Sequence, residues 1–252
     1  MMYVYAIVDR PESPISKMDG LDDAPVHLLG YRDIGAVVSL SSTAKVPPTQ
    51  VNLWRHEAVM DALMPDRSVL PVRFGTVLAD EKSIQGALGA HYDDFVANLS
   101  RVRGRVELAL KVLWDGDGAG MRAREAAESA IKPAADASPG RMYMAARLKE
   151  YRERQERRDY AEACAGVLHS ALADLATQSR IQLLPTRRVL IAAAYLVGRR
   201  KVADFRRRME DLRVSHPALR FVCTGPWPPF SFVGVEECRN GHRIVKSDVS
   251  AG

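Results

Sequence analysis

The sequence RVELALKVLW, residues 105–114, alternates large apolar side chains with charged or small ones from Arg105 to Val112. Its apolar positions are Val106, Leu108, Leu110 and Val112, and the residues between them are Glu107, Ala109 and Lys111. Successive side chains of a β-strand point to opposite faces, so this pattern predicts a strand with one face buried. This strand opens the C-terminal half of the expected fold.

The residues after 114 predict a long helix, two strands, a second helix and a last strand. The long helix is expected over about 142–178, and its charged middle, 152–159, is expected to project into solvent. Its apolar positions are Met144, Leu148, Tyr151, Tyr160, Cys164, Val167, Leu168, Ala171 and Leu175. The remaining elements are expected at 181–184, 189–197, 202–212 and 219–224. This βαββαβ order predicts a ferredoxin-like domain over 103–236, with a flexible tail at 237–252.

The residues before 103 predict a separate small α/β unit, a domain over 1–102, with the order βββαβα. Strands are expected at 3–8, 26–29, 34–40 and 69–77, and helices at 51–64 and from about 80 to 102. Pro71 cannot donate a hydrogen bond to a neighbouring strand, so the strand at 69–77 begins at or runs along a sheet edge. The whole chain is therefore expected to have an α+β fold with two domains.

Composition and charge restrict the function. The chain has 252 residues, of which 47% are hydrophobic, and its longest apolar run, Val189–Val197, has nine residues. A membrane helix needs about 20 apolar residues, so no span is expected. The N-terminus lacks the pattern of a signal peptide, and the three cysteines are widely spaced; both features favour a cytoplasmic protein without disulfides.

The net charge of +5 is divided unevenly along the chain. Residues 1–102 contain 9 Lys and Arg against 13 Asp and Glu, so the C-terminal part is basic. The basic runs Arg199–Lys201 and Arg206–Arg208 fit a solvated helix face, an acidic protein partner or nucleic acid. Because of these basic runs, a nucleic-acid-binding or regulatory module is the alternative function; the scarcity of aromatic residues that could stack on bases, with only Phe205 nearby, counts against it.

Motifs that would carry catalysis or hold a metal are incomplete. His56-Glu57 begins like the zinc motif HExxH, but the second histidine position is Met60. The glycines of 116–120 lack the spacing of a nucleotide-binding loop, and Cys238 and His242 form only one isolated pair of ligands. No catalytic residue, cofactor or metal is therefore expected, and the protein is not expected to be an enzyme.

Three segments that together span nearly the whole chain are YVYAIV at 3–8, His56-Glu57 followed by VLPVRFGT at 69–76, and GPWPPFSFV at 225–233. These segments resemble the gas vesicle GvpL/GvpF family. At Met142-Tyr143-Met144 the chain departs from the usual Tyr-Leu pair of the family, a change that packing tolerates. The resemblance implies two domains, the second a modified ferredoxin-like fold. It also implies a structural role in gas vesicle assembly, contact with the small hydrophobic shell protein GvpA and other accessory proteins, and a position at the gas vesicle.

Two hypotheses concern candidate contact residues. Arg73 follows a buried strand, and its guanidinium, if buried, needs a carboxylate, so we expect a pair with Glu57 or Glu107. The segment Gly225–Val233 has two interpretations: an internal staple that fastens the end of the chain, or a contact surface for shell protein. The candidate structural or partner contacts are Trp227, Pro228, Phe230, Phe232, Arg73, Phe74, Glu57 and Glu107.

Overall fold

The computed structural model describes residues 1–114, 138–184, 186, 188–233 and the backbone of 242–246. The chain forms two compact units. The first comprises Met1–Glu107, Leu196–Arg199 and Gly225–Asn240, and the second comprises Leu108–Tyr195, Arg200–Thr224 and Gly241–Gly252. Each unit contains helices and a five-stranded sheet, which confirms the α+β class.

The sheet of the first unit has the strand order β2-β3-β1-β4, with β5 also paired to β1. Its strands are β1 (Met2–Asp9), β2 (His27–Tyr31), β3 (Ile34–Leu40), β4 (Val69–Pro71) and β5 (Val77–Leu78). These five strands pair antiparallel. All eight residues of β1 are buried, because side chains cover both faces of the sheet at its centre.

A β-bulge at Tyr5 divides β1 into two parts. Val4 pairs with Val38 and Ala6 with Val37, so Tyr5 is an extra residue without a partner on β3. Met2, Val4 and Ile7 therefore share one apolar core, although strict alternation would place Ile7 on the other face.

Three helices cover the sheet of the first unit. They are α1 (Gln50–Leu63), α2 (Glu81–Ala90) and α3 (Tyr92–Val102). Ile84 and Leu88 of α2 and Leu99 and Val102 of α3 pack in the core of Met2, Val4 and Ile7. The buried face of α1 contributes His56, Val59, Met60 and Leu63.

The prediction of one helix from about 80 to 102 is wrong, because α2 and α3 are separate helices. His91 between them has φ −117° and ψ 22°, outside the helical region. Asp93 and Asp94 lie in the first turn of α3, where the positive end of the helix dipole favours acids. These acids mark the start of a new helix, although the spacing of apolar residues continues from α2 into α3.

The sheet of the second unit has the strand order β10-β7-β8-β6-β9. Its strands are β6 (Arg105–Trp114), β7 (Ala176–Leu183), β8 (Val189–Gly198), β9 (Leu219–Trp227) and β10 (His242–Lys246). Its helices among the described residues are α4 (Pro139–Leu172) and α5 (Val202–Ser215). From β6 to β9 the described elements follow the predicted βαββαβ order, and β10 pairs parallel with β7.

Two predicted boundaries of the second unit need correction. The long helix ends at Leu172 instead of about 178, and β7 begins at Ala176 instead of Ile181. The start of β7, ATQSR, is mostly polar, so it resembles the exposed turns of a helix although it forms a strand. The last strand, β9, continues to Trp227 instead of ending at Thr224.

The long helix α4 is buried only near its C-terminal end. Its buried residues are Ala161, Ala165, Leu168 and Leu172, and the buried residues of α5 are Phe205, Met209 and Leu212. Ser138–Arg152 are all exposed, and the charged stretch 152–159 is mostly exposed, as predicted. The first half of α4 is therefore a helix without a tertiary partner among the described residues.

Several predictions concern residues that the structure does not describe. The glycine-rich loop at 116–120 and Cys238 lie outside the described residues. The alanine-rich stretch at 119–131, whose sequence predicts a short helix, and most of the linker that the Pro, Asp and Ser residues of 132–140 predict lie outside them as well. Of the expected tail at 237–252, only the strand β10 is described. The domain boundaries at 102/103 and 236/237 stay a prediction.

Candidate functional site

The segment Gly225–Val233 leaves the sheet at the end of β9 and closes with a 3₁₀ turn at Phe230–Phe232. Gly225 has φ +111°, and a Cβ atom there would lie 2.7 Å from the backbone oxygen of Glu107. Only glycine fits this close approach, because other residues would add both a steric clash and backbone strain. The sequence GPW thus sets the path of the segment beside β6.

A buried carboxylate holds the 3₁₀ turn. Glu107 is 6% exposed, and its two oxygens accept hydrogen bonds from the backbone N–H and the hydroxyl of Ser231, each at 2.7 Å. Hydrogen bonds to a charged group are about twice as strong as neutral ones. They also satisfy the polar atoms of a carboxylate that is otherwise costly to bury. Arg101 of α3 donates a hydrogen bond to the carbonyl oxygen of Phe232 and thereby fastens the other end of the turn.

Burial along the segment is uneven. Phe232 is 2% exposed, Pro228 and Pro229 are buried, and Trp227 is partly buried. Val233 packs against the core between the first sheet and helices α2 and α3. Phe230 is 46% exposed and is the aromatic residue of the segment that faces solvent most. These contacts support an internal anchor, with Phe230 as its exposed point.

The predicted ion pair of Arg73 is wrong. Arg73 is exposed, and among the described residues no carboxylate, Glu57 and Glu107 included, pairs with it. Arg73 instead opens a tight turn, in which its carbonyl oxygen accepts hydrogen bonds from the N–H and the hydroxyl of Thr76. Gly75 supplies the positive φ of +84° that such a turn requires. Because Arg73 remains in solvent, it does not require a buried carboxylate.

Phe74, from the same turn, joins a buried aromatic cluster with Tyr3, Tyr5 and His56. His56 is 4% exposed, stacks on Tyr5 at 5.7 Å between ring centroids and meets the edge of Phe74 at 5.5 Å. The Tyr3 hydroxyl lies 2.9 Å from Nδ1 of His56 and accepts a hydrogen bond from the N–H of Gly75. The Tyr3 hydroxyl and Nδ1 of His56 thus share a hydrogen bond whose donor is set by the tautomer of the imidazole.

Burial keeps this cluster uncharged. Desolvation lowers the pKa of His56 from 6.5 to about 4 and raises the pKa of Tyr3 to about 12. Met60 is fully buried beside the incomplete HExxH sequence. Among the described residues, no three histidines, cysteines or acids are placed to hold a metal ion. The cluster is suited to packing strand β1 against helix α1.

The second unit contains an apolar groove of about 200 Å³ between α4, α5 and the strands. Its polar side chains are Tyr160, Cys164 and His216, and its other lining residues are apolar. Burial raises the pKa of the Cys164 thiol, which disfavours the reactive thiolate. The groove is therefore lined mainly by apolar side chains, which suits it to apolar contact.

The basic residues around α5 make contacts within the second unit. Arg207 pairs with Asp204 at 3.0 Å, and Arg213 pairs with Glu210 at 3.6 Å. Arg208 donates to the carbonyl oxygen of Ala171. No observation on the described residues favours the nucleic-acid alternative over a solvated helix face.

The first half of α4 carries the largest group of exposed apolar side chains in the described part of the chain. Met142, Tyr143, Met144, Leu148 and Tyr151 are between 49% and 66% exposed. We call Ser138–Arg152 the α4 tip. A smaller exposed group, Val51, Leu53 and Trp54, lies at the start of α1.

The sequence pattern did not separate the α4 tip from the buried end of the same helix. Met144, Leu148 and Tyr151 continue the apolar series that includes the buried Leu168. The signal that distinguishes them is the charged stretch between Arg152 and Asp159, which leaves no apolar residue to extend the core toward the tip. No helix in the described ranges is both long and apolar enough to cross a membrane.

Comparisons with known proteins agree with this architecture. A family model for the gas vesicle synthesis protein GvpL/GvpF matches residues 1–234. The chain is 32% identical to gas vesicle protein L of a Streptomyces species, with 94% of both chains covered. It is 27% identical to a gas vesicle F protein of Halobacterium salinarum, with 96% of this chain and 98% of that protein covered.

Two solved structures show the same fold. The crystal structure of gas vesicle protein GvpF from an Anabaena species has a TM-score of 0.78 and 21% identity, and covers 93% of this chain and 98% of that chain. The crystal structure of GvpF from Microcystis aeruginosa has a TM-score of 0.68 and 19% identity, with 93% and 99% covered.

Proposed function

Because this chain belongs to the gas vesicle synthesis protein GvpL/GvpF family, we propose that it takes part in gas vesicle assembly by binding the hydrophobic shell protein GvpA. Family membership gives it a gas vesicle-related role. In the proposal, the protein acts in the cytoplasm at the growing vesicle, together with other accessory proteins. It works by contact and not by catalysis.

The α4 tip is the observation that carries the proposal. Soluble monomers rarely expose contiguous apolar patches unless the patch binds something. Five large apolar side chains within ten residues are about half or more exposed there. Methionine and tyrosine suit such a surface, because methionine adapts its shape and tyrosine combines apolar area with a polar end.

The tip stays helical without tertiary packing because ion pairs support it. Arg147 pairs with Glu150 at 3.4 Å, and Lys149 pairs with Glu153 at 3.9 Å. Such pairs, three or four residues apart, each stabilise a helix by about 0.2–0.5 kcal/mol. A preformed helix loses little conformational entropy when a shell subunit binds. Covering the apolar side chains of a subunit in this way would delay its polymerisation.

Co-purification tests the proposal. The triple variant Met144→Ser, Leu148→Ser, Tyr151→Ser should retain its fold and recover at least about tenfold less shell protein, because each apolar contact it loses is worth about 1 kcal/mol. The matched control is Gln155→Ser, Glu156→Ser, Asp159→Ser, which changes three exposed polar residues of the same helix. Equal recovery by the triple variant and the control would remove the α4 tip from the proposal.

A second test is made in vesicle-forming cells. Deletion of the gene should reduce gas vesicles, the wild-type chain should restore them, and the triple variant should restore them poorly. Normal vesicles in a clean deletion strain would contradict a role in assembly.

A further inference from the structure

Three apolar side chains of the α4 tip form a narrow stripe along the helix. Met144, Leu148 and Tyr151 are spaced by four and three residues, so at about 100° per residue they lie within about 60° of one another. A straight, narrow apolar stripe of this spacing is the type of surface that packs against a second helix. Its side chains can insert between those of a partner that has the same spacing.

Cations border this stripe on both sides. By the same helical geometry, Arg141 and Arg152 lie on one side of the stripe and Arg147 lies on the other. Arg141 and Arg152 are exposed and have no ion-pair partner among the described residues. Over the whole tip, four basic residues stand against the single acid Glu150.

This charge pattern decides between two possible occupants of the stripe. If a second copy of the chain packed its own tip here, arginines would face arginines at the edges of the contact, and like charges at these positions disfavour pairing. A helix with acids beside its apolar stripe would place opposite charges at the same positions. Charge complementarity therefore favours a different, acidic partner.

We infer that the α4 tip binds an amphipathic helix whose apolar stripe is flanked by acidic side chains. The inference rests on the proposed function of the tip as a contact surface and adds the secondary structure and charge of the segment that it recognises. Apolar contacts supply most of the affinity, and the arginines select the partner and its orientation.

Two synthetic peptides test the inference on the full-length protein. Both carry leucine at a helical stripe with the same spacing; one has glutamate and the other has lysine at the flanking positions. Binding is measured by fluorescence anisotropy. The glutamate peptide should bind about tenfold more tightly at low salt, and salt should reduce this difference because it screens exposed charges. Equal binding of the two peptides, or binding of neither, would overturn the inference.

Charge reversal at the tip gives the matched experiment. Arg141→Glu with Arg152→Glu should remove or invert the preference for the glutamate peptide and should lower the recovery of shell protein. The control, Lys17→Glu with Lys45→Glu, makes the same change in net charge at exposed lysines of the first unit. Circular dichroism shows that the helix is retained. An unchanged peptide preference after charge reversal would contradict the role of the arginines.

The two proposals fail in different ways. If Met144→Ser, Leu148→Ser, Tyr151→Ser leaves the recovery of shell protein unchanged, the tip is not the proposed contact surface. If that variant loses shell protein while neither charge reversal nor peptide charge has an effect, the proposed function stands and the acidic helix is excluded.

Discussion

The segment Gly225–Val233 and the α4 tip are both rich in large apolar side chains, but their environments are opposite. Phe232 is 2% exposed, whereas Tyr143 is 64% exposed. The segment is fastened by two hydrogen bonds to a buried carboxylate, whereas the polar contacts of the tip within the described part of the chain lie along its own helix. Aromatic content alone therefore does not distinguish an internal anchor from a binding surface; the polar groups that fix the backbone do.

This difference predicts that changes in the anchor affect stability and changes in the tip affect binding. The common scale is the free energy of unfolding of the unit that carries the change, and for the first unit hydrogen exchange of the β1 amides measures it.

The largest effect is expected for Phe232→Ala. Truncation of a fully buried phenylalanine costs about 3–5 kcal/mol, because it removes apolar contacts and leaves a cavity. Hydrogen exchange of the β1 amides should become faster by the factor that corresponds to this loss of unfolding free energy. Phe230→Ala, at the exposed point of the same turn, is the control and should change exchange little. If the two variants behave alike, Phe232 is not an anchor.

Acid should produce the next largest effect, through His56. Its pKa is about 4 in the folded state and 6.5 when it is accessible to solvent, so between these values the unfolded chain binds a proton that the folded chain does not. Stability is therefore lost as the pH falls from about 6.5 to 4, by a total of about 3 kcal/mol. His56→Gln should remove this part of the pH dependence. If the stability of this variant falls with pH as that of the wild type does, the loss of stability in acid comes from other groups.

Glu107→Gln should have a smaller effect, about 1–3 kcal/mol. Glutamine keeps the shape, but its amide nitrogen cannot accept the hydrogen bond that one carboxylate oxygen accepts from Ser231. Equilibrium denaturation should therefore show lower stability of the first unit. Ser231→Ala, which removes only the hydroxyl, should be less harmful because the backbone N–H still reaches Glu107. A larger loss for the serine variant would mean that the carboxylate is not the main anchor.

The smallest effect on stability is expected at the α4 tip. Met144→Ser, Leu148→Ser and Tyr151→Ser each remove an exposed side chain and should change the unfolding free energy by about 0.5 kcal/mol or less. Chemical denaturation of the second unit measures this. A large loss of stability would show that the tip packs in solution, and the contrast with the anchor would disappear.

The parts of the fold that were predictable depend on local periodicity. Residues 105–114 form a strand with the predicted boundaries. The strand was predictable because the alternation of neighbouring residues is itself the signal for β-structure. The helix break at His91 was missed because the apolar spacing continues across it, and the early start of β7 was missed because its first residues are mostly polar. The bulge at Tyr5 depends on the register with β3, which no single segment of sequence contains.

The candidate sites were harder to predict because their partners are distant in sequence. Glu107 was one of two acids expected to pair with Arg73, but its carboxylate accepts hydrogen bonds from Ser231, 124 residues away. The backbone N–H of Ser231 is a donor that every residue except proline has, so the sequence does not mark it. The exposure of Met144 is equally invisible locally, because burial depends on whether another element covers that part of the helix.

The bulge in β1 determines how the strand would respond to the loss of one residue. Tyr5 is the unpaired residue, and its hydroxyl accepts a hydrogen bond from the N–H of Leu21 and contacts the Ser39 hydroxyl. A chain without this residue would still direct Ile7 and Val8 to their present sides, because the remaining residues alternate regularly. Deletion of Tyr5 would therefore keep the other side chains of the strand on their present faces, and it would leave an empty space beside His56. The strand could adapt to the loss, but the imidazole would lose the ring on which it stacks.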